Sequence, residues 1–215
     1  MKSLRPLGRS RSPRSSTSPT REKLIVATLA LMQEYPPEAI STDMVLQSSG
    51  ASKGSLYHHF EDLSDLLETA LIRIFTQTVD TNIALMTQLL DDAKSTKEIY
   101  EATRKFTEVT QGAERRSARF DRAGLMALVH NNPRLAAKLS VQQTRLTDAY
   151  TELFRKAQDR GAMNKDFDPR AGAVLIQAYT LGKIVDDVVE NPVDPAEWNA
   201  LIMKIVIRVF GVNPD

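Results

Sequence analysis

The sequence predicts an all-α fold of about nine helices, and three observations support that prediction. Apolar residues recur at three- and four-residue spacings through almost the whole chain, and no alternating strand pattern of any length is present. Helix-start signals such as Asp168-Pro169, and helix-stop signals such as Gly211, divide the chain into segments of helical length. Apolar residues make up 42% of the 215 residues, which is enough to fill a core.

Residues 1–19 are predicted to form a disordered tail, because they are rich in Ser, Arg and Pro and poor in apolar groups. Residues 1–23 carry seven Lys and Arg against Glu22 alone, while the whole chain has a net charge of only +1. Three interpretations of the tail stay open: a solvated segment without a role, an arm that contacts DNA phosphates or the minor groove, and a mitochondrial transit peptide.

The elements follow in order. Helix 1 begins near Thr20, has an apolar stripe and stops at Pro36-Pro37. That stripe comprises Leu24, Ala27, Thr28, Leu31 and Tyr35. Helix 2 has Thr42 as its N-cap candidate and ends at Gly50, and Ser52 caps a short helix 3 over residues 53–59. Asp62 caps a long helix 4 that reaches about residue 90, and five more helices are predicted at about 96–111, 115–131, 133–160, 169–190 and 195–210.

Residues 50–60 have the properties of a recognition helix. Leu56 and Phe60 are four residues apart, so they share a face and can anchor the helix to a core. Hydrogen-bonding side chains occupy about two turns of the same helix, namely Lys53, Ser55, Tyr57, His58 and His59. A short helix anchored on one side and polar on the other suits a DNA major groove, and helices 2 and 3 with their glycine turn fit a helix-turn-helix.

The segment Gly-Ala-Ser-Lys-Gly-Ser-Leu-Tyr-His-His-Phe, followed by an acid-rich start to a long helix with Leu66-Leu67, resembles the tetracycline-repressor (TetR) family of bacterial transcription regulators. The resemblance covers about residues 18–78. It implies a homodimer that binds a palindromic operator, represses, and is released by a small-molecule effector. It also implies phosphate contacts from Thr42, Lys53, Tyr57 and His58, and contacts to bases or backbone from Ser52, Gly54, Ser55 and His59.

The resemblance implies three regions: the tail at 1–19, a DNA-binding domain at 20–62 that includes the start of helix 4 to about residue 78, and a helical effector-binding and dimerisation domain at 63–215. Leu63 occupies a place where family members commonly carry a phosphate-contacting Lys, and Glu61, Asp62 and Asp65 flank it. Carboxylates there would repel DNA, so we expect the basic tail to supply part of the affinity.

The middle helices are expected to hold the effector. The candidate pocket residues are Phe106, Phe120, Met126, Tyr150, Phe154 and Tyr179, each with plain core packing as the alternative role. An arginine group on the sixth helix is interpreted as a solvated face, with a site for an acidic effector as its functional alternative. The group comprises Arg115, Arg116, Arg119 and Arg122.

The last two long helices carry apolar stripes that predict a four-helix dimer interface, with burial inside one chain as the alternative. The first stripe comprises Ala171, Val174, Leu175, Ala178, Leu181, Gly182 and Val185. The second comprises Trp198, Leu201, Ile202, Ile205, Val206, Val209 and Phe210.

Other classes of function find little support in the sequence. No motif supplies a nucleophile with a base or a phosphate-cradling loop, so we expect neither an enzyme nor a cofactor. Cys is absent and His58-His59 diverge on a helix, so no metal site is expected, and the longest apolar stretch is too short to span a bilayer. We expect a cytoplasmic protein. The rival to a DNA-binding regulator is a helical interaction adaptor or ligand carrier that has lost DNA binding.

Overall fold

The computed structural model describes residues 18–91, 93 and 95–212. Within those ranges the chain is helical and contains no strand, which confirms the all-α prediction. The chain divides into two compact units, here called unit 1 (Met1–Leu71) and unit 2 (Ile72–Asp215). The division falls inside the long fourth helix, which the sequence predicts to begin in the DNA-binding domain.

Ten α-helices occupy the described ranges, nine of them long and one a single turn. They are α1 (Pro19–Leu31), α2 (Thr42–Ser49), α3 (Lys53–His59), α4 (Leu63–Asp91), α5 (Thr96–Gln111), α6 (Arg116–Leu128), α7 (Pro133–Asp159), α8 (Pro169–Gly182), α9 (Ile184–Asp187) and α10 (Pro195–Phe210). Short 3₁₀ turns lie at Pro37–Ala39, Ala113–Arg115 and Val129–Asn131. None of the helices in the described ranges is both long and apolar enough to cross a membrane.

Unit 1 is built around one apolar cluster to which all four of its helices contribute. The buried members are Leu24, Ile25, Ile40, Val45, Leu56, Phe60 and Leu66. Helix α1 packs against both α2 and α3. The cluster therefore fixes the positions of the two helices of the predicted helix-turn-helix.

Residues 1–17 of the predicted tail lie outside the described residues. Helix α1 begins at Pro19, next to the predicted start at Thr20, because proline suits the first helical position and Ser18 is the extended residue before it. One expectation for the start of unit 1 needs correction. Tyr35 does not extend the stripe of α1, because the helix ends at Leu31 and Tyr35 is exposed.

The N-cap of α2 is Ser41 and not the predicted Thr42. The Ser41 hydroxyl accepts a hydrogen bond from the Met44 backbone N–H at 3.3 Å, and Thr42 is the first helical residue. Adjacent Ser and Thr are both good caps, and the extended backbone of Ser41 decides between them. The other predicted caps are confirmed at Ser52, Asp62, Asp168 and Asp194.

Unit 2 is centred on the packing of α7 against α8. Gly172 of α8 permits the close approach, because a Cβ atom there would lie 3.1 Å from Cδ2 of Phe154 on α7. A polar network crosses the same contact: Gln143 Nε2 donates to Gln177 Oε1 at 2.6 Å, and Gln177 Nε2 donates to Thr147 Oγ1 at 3.2 Å. These bonds satisfy polar groups that the packing removes from water.

The predicted helix over residues 169–190 is shorter in the structure. Helix α8 ends at Gly182, and a single turn, α9, follows before an irregular segment that reaches the Asp194 cap. Lys183 is the residue between the two helices, and its ammonium is paired with the Asp186 carboxylate. Val185 therefore does not continue the stripe of α8.

Candidate nucleic-acid interface

The turn between α2 and α3 has the geometry that the sequence predicts. Gly50 adopts a φ of 64°, a left-handed conformation that glycine takes without steric cost. Ser52 then accepts a hydrogen bond from the Ser55 backbone N–H at 3.2 Å and starts α3. The two hydroxyl oxygens of Ser52 and Ser55 lie 3.0 Å apart. The first turn of α3 is thus set by local hydrogen bonds.

Helix α3 has one buried and one open side. Leu56 and the C-cap residue Phe60 are buried in the unit 1 core. The residues of the open side are Ser52, Lys53, Gly54, Tyr57 and His58. Tyr57 remains 44% exposed, although it is a large aromatic residue. A core-anchored helix with an open polar side is what insertion into a DNA groove requires.

The other predicted contact residues lie at the edge of this surface. Ser55 and His59 are half-buried, and His59 Nε2 lies 3.3 Å from the Ser18 hydroxyl, so α1 and α3 meet at their polar ends. The His58 and His59 rings are in edge contact, with centroids 4.8 Å apart. Thr42 is half-buried at the start of α2. The DNA contacts of all eight residues stay predictions.

The place of Arg21 is not predictable from its position among the basic residues at the start of the chain. Its guanidinium carbon lies 5.0 Å from the centroid of the Phe60 ring, at the end of α3. Stacking on an aromatic face holds a cation without neutralising it. The signal in the sequence was the position of Arg21 inside the first turn of α1, where the chain is already ordered.

The described part of unit 1 has an unfavourable charge balance for a DNA-binding module. Residues 18–71 contain three Lys and Arg against eight Asp and Glu, a net charge of −5. Two of the acids cap the start of α4: Asp62 accepts from the Asp65 backbone N–H at 2.6 Å, and Asp65 accepts from the Glu61 N–H at 3.0 Å. Those two carboxylates stabilise the helix start, where its dipole is positive.

An apolar cavity in unit 2 contains three of the six predicted pocket residues. Phe106, Phe154 and Tyr179 line it, and its volume is about 20 Å³, room for a single water molecule. The other three predicted residues do not line this cavity, and an effector-binding role for all six stays a prediction. Phe120 is exposed beneath the Arg116 guanidinium, and Met126 is not among the lining residues. Tyr150 is buried elsewhere, where burial raises the pKa of its hydroxyl.

A second cavity of about 50 Å³ lies beside the arginine group. Its lining comprises Thr78, Asn82, Thr110, Arg115, Ala118, Arg119, Arg122, Thr180 and Leu181. The arginine group is therefore not a solvated face throughout. Arg119 is only 5% exposed, and its Nε and NH2 donate to the two carboxylate oxygens of Asp187 at 2.5 and 2.8 Å. The hydrogen bond from Arg119 lowers the pKa of Asp187.

The predicted interface stripes divide into inner and outer residues. On α10, Ile202, Val206 and Phe210 are buried within the chain, whereas Leu201, Ile205 and Val209 are exposed. On α8, Val174, Leu175, Ala178 and Gly182 are exposed. We call these seven exposed residues the outer apolar face. Exposed apolar patches of this kind mark interaction sites.

Comparison with known proteins identifies the N-terminal part of the chain. Residues 24–70 match the model of the "Bacterial regulatory proteins, tetR family". This range contains α2, α3 and the start of α4, so it includes every helix of the predicted DNA-reading surface.

Proteins similar over most of the chain are regulators of the same kind. The HTH-type transcriptional regulator UidR of Escherichia coli K12 is 22% identical over 177 residues, which cover 82% of this chain and 86% of UidR. The structure of Salmonella enterica GusR covers 92% of this chain and 98% of its own, with a TM-score of 0.64 and 23% identity.

A second similar structure is a transcriptional regulator from Saccharomonospora viridis in complex with choline. It has a TM-score of 0.59 and 15% identity, and the match covers 87% of this chain and 95% of that one. The family match, the shared fold and the helix-turn-helix geometry agree. Residues 24–70 therefore form a DNA-binding domain of the tetR type, and over most of its length the chain is similar to DNA-binding transcriptional regulators.

Proposed function

We propose that this regulator is a repressor whose homodimer binds a palindromic operator in the cytoplasm and leaves it when a small-molecule effector binds unit 2. The observation that carries the proposal is α3, a capped helix anchored by Leu56 and Phe60 with its polar side open. Repression and release are the family's usual mode of action, and a ligand releases DNA when it binds the low-affinity state more tightly.

We expect the residues on the open side of α3 to divide into those that position the protein on the DNA backbone and those that read the base sequence. Lys53 lies at the first helical position, where backbone N–H groups already favour a phosphate, and Tyr57 and His58 extend the same surface. Gly54 lets the helix approach the groove, and Ser52, Ser55 and His59 offer donors and acceptors to base edges or the backbone. Thr42 adds a phosphate contact from α2.

Replacing Gly54 by Ala is expected to stabilise the free protein and weaken operator binding. A Cβ atom there would contact only the Ser52 hydroxyl, at an ordinary 3.9 Å, so the helix gains about 0.5–1 kcal/mol from the better helix former. In the complex with DNA, the added methyl group would prevent the close approach of α3 to the groove. We expect at least about a tenfold loss of affinity, or ~1.4 kcal/mol. Gel shifts with DNA flanking the gene, together with thermal unfolding, measure both effects.

Gly124→Ala is the matched control for that variant. Gly124 lies in α6 with no atom within 4 Å of the added Cβ, so it should gain stability and keep its operator affinity. Equal operator affinity of Gly54→Ala and the wild type would contradict a close approach at Gly54. Failure of the wild-type protein to bind any flanking fragment at low salt would favour an adaptor that has lost DNA binding.

The outer apolar face is the proposed dimer interface, and its occupant is the same face of a second copy. A short recognition helix reads few bases, so two heads about 34–36 Å apart are needed for one operator. A two-fold axis brings α8 and α10 of both copies together, and the small residues Ala178 and Gly182 allow close helix approach.

Leu201→Glu is expected to convert the dimer to monomer without unfolding it. Leu201 is 51% exposed in the single chain, so a carboxylate there is hydrated until two copies meet. A central interface residue contributes about 2 kcal/mol or more, so its loss from one copy should raise the dissociation constant at least about 30-fold. The two-fold axis places the substitution on both copies, which doubles the free-energy cost. Sedimentation equilibrium measures it. The control Val141→Glu, on α7 and 63% exposed, should stay dimeric. Dimerisation unchanged in Leu201→Glu would refute this interface.

A further inference from the structure

The arginine-lined cavity of unit 2 contains a charge that no carboxylate of the described residues neutralises. Arg115, Arg119 and Arg122 all line it, and Thr78 and Asn82 of α4 and Thr180 of α8 add polar groups. Arg119 is paired with Asp187, and its NH1 also donates to the carbonyl oxygens of Thr110 and Gly112, both at 3.3 Å. Arg119 is therefore satisfied and has a structural role.

Arg122, unlike Arg119, has neither an ion pair nor a full set of hydrogen bonds among the described residues. Its one hydrogen bond in the described part of the chain runs from NH2 to Gln143 Oε1, at a long 3.4 Å. Its Nε is buried and has no partner, and no carboxylate of the described residues forms an ion pair with it. The Phe75 ring lies against it, with the centroid 6.0 Å from the guanidinium carbon.

Such an arrangement is costly for the free protein. A guanidinium has five N–H donors and stays charged at any ordinary pH, so burial without an anion leaves both charge and donors uncompensated. Burial lowers the pKa of Arg122, and only the Tyr150 hydroxyl acts in the opposite direction. A carboxylate from outside the chain would supply the missing negative charge and hydrogen-bond acceptors, because guanidinium groups form two parallel hydrogen bonds with carboxylates.

We propose that this cavity binds the carboxylate of a small organic acid, with Arg122 as its principal partner and Arg115 and Asn82 as further donors. The inference rests on the proposed function, in which unit 2 binds an effector, and it names the chemical class of that effector. One half-buried guanidinium without an ion-pair partner among the described residues matches one negative charge. Ala118 and Leu181 provide an apolar wall for the carbon skeleton of the acid. A cavity of about 50 Å³ accepts the carboxylate end, and a larger acid must widen it.

The test uses the full-length protein without DNA. Thermal unfolding is followed with propionate and with benzoate, each against its neutral amide, propionamide and benzamide, at equal ionic strength. Acids at several times their dissociation constants should raise the midpoint by about 2–4 °C, whereas the amides should not. Equal shifts from acid and amide would overturn the proposal. A shift from inorganic phosphate alone would overturn the carboxylate assignment.

Two Arg122 variants and one control complete the test. Arg122→Gln should lose the acid-specific shift, and Arg155→Gln, an exposed residue on α7 paired with Glu152, should keep it. Arg122→Met should unfold at a higher temperature than the wild type when no acid is present, because it removes a partly buried charge that has no ion-pair partner among the described residues. An acid shift that survives in Arg122→Gln, or a lower midpoint in ligand-free Arg122→Met, would refute the role of Arg122. Because DNA is absent, a negative result here is distinct from a failure to bind an operator.

Discussion

Deleting residues 2–16 is expected to weaken operator binding and to flatten its dependence on salt. The deleted segment carries five Lys and Arg and no acid, whereas residues 18–71 have a net charge of −5. Each cation that neutralises a phosphate contributes about −0.9 to the slope of log K against log salt. A dimer has two such segments, so we expect the slope to become less negative by at least about 2 if one cation per segment contacts DNA. Titrations at several salt concentrations measure this slope.

A second variant separates charge from length in that experiment. Replacing Lys2, Arg5, Arg9, Arg11 and Arg14 by Gln keeps the length of the segment and removes its charges. It should flatten the slope as much as the deletion does. An unchanged slope in both variants would show that α3 and its neighbours make all the phosphate contacts, despite the acidic balance of residues 18–71.

Asp187→Asn is expected to destabilise unit 2 by about 3–5 kcal/mol, the usual result of removing one partner from a buried ion pair. The Arg119 and Asp187 side chains are 5% and 8% exposed, and two hydrogen bonds join them. Without the carboxylate, the guanidinium is left buried with its charge unmatched. Denaturant unfolding at neutral pH, followed by circular dichroism, measures the loss.

The pH dependence of the same variant tests the electrostatic origin of the effect. Because Arg119 lowers the pKa of Asp187 in the folded protein, the pair stabilises the fold above the ordinary carboxyl pKa, about 4, and loses its contribution as the pH falls through the lowered value. The difference between wild type and Asp187→Asn should therefore shrink in acid. The double variant Arg119→Met/Asp187→Leu removes both charges and should recover most of the stability. A double variant as unstable as Asp187→Asn would contradict this origin.

Features set by neighbouring residues were predictable from the sequence. Gly50 and Gly211 end helices in the left-handed conformation, and Asp168 and Asp194 cap the helices that follow them, as local rules require. The range of α3 follows from Ser52 and the C-cap Phe60 in the same way. Local hydrogen bonds decide these boundaries, so a single sequence contains the necessary information.

Features set by distant partners were not predictable. The burial of Arg119 is not visible in the sequence, because its partner, Asp187, lies 68 residues away. Helix α10 is apolar on much of its circumference, so its sequence alone does not separate the buried Ile202 from the exposed Leu201. Phe106 and Phe154 meet at one cavity while Phe120 does not, because tertiary packing alone decides which aromatic residues share a space.

The glutamine network between α7 and α8 has a consequence for recognition between subunits. Rotating α8 by one residue, about 100°, would take Gln177 away from Gln143 and Thr147 and leave buried amide groups without partners, at about 1–3 kcal/mol each. Helix α8 therefore has one rotational setting. The single chain alone fixes the shape of the surface that carries Val174 and Leu175. Substitutions on that side can change which chains pair while the inner contacts stay the same, so pairing preference and monomer folding can evolve separately.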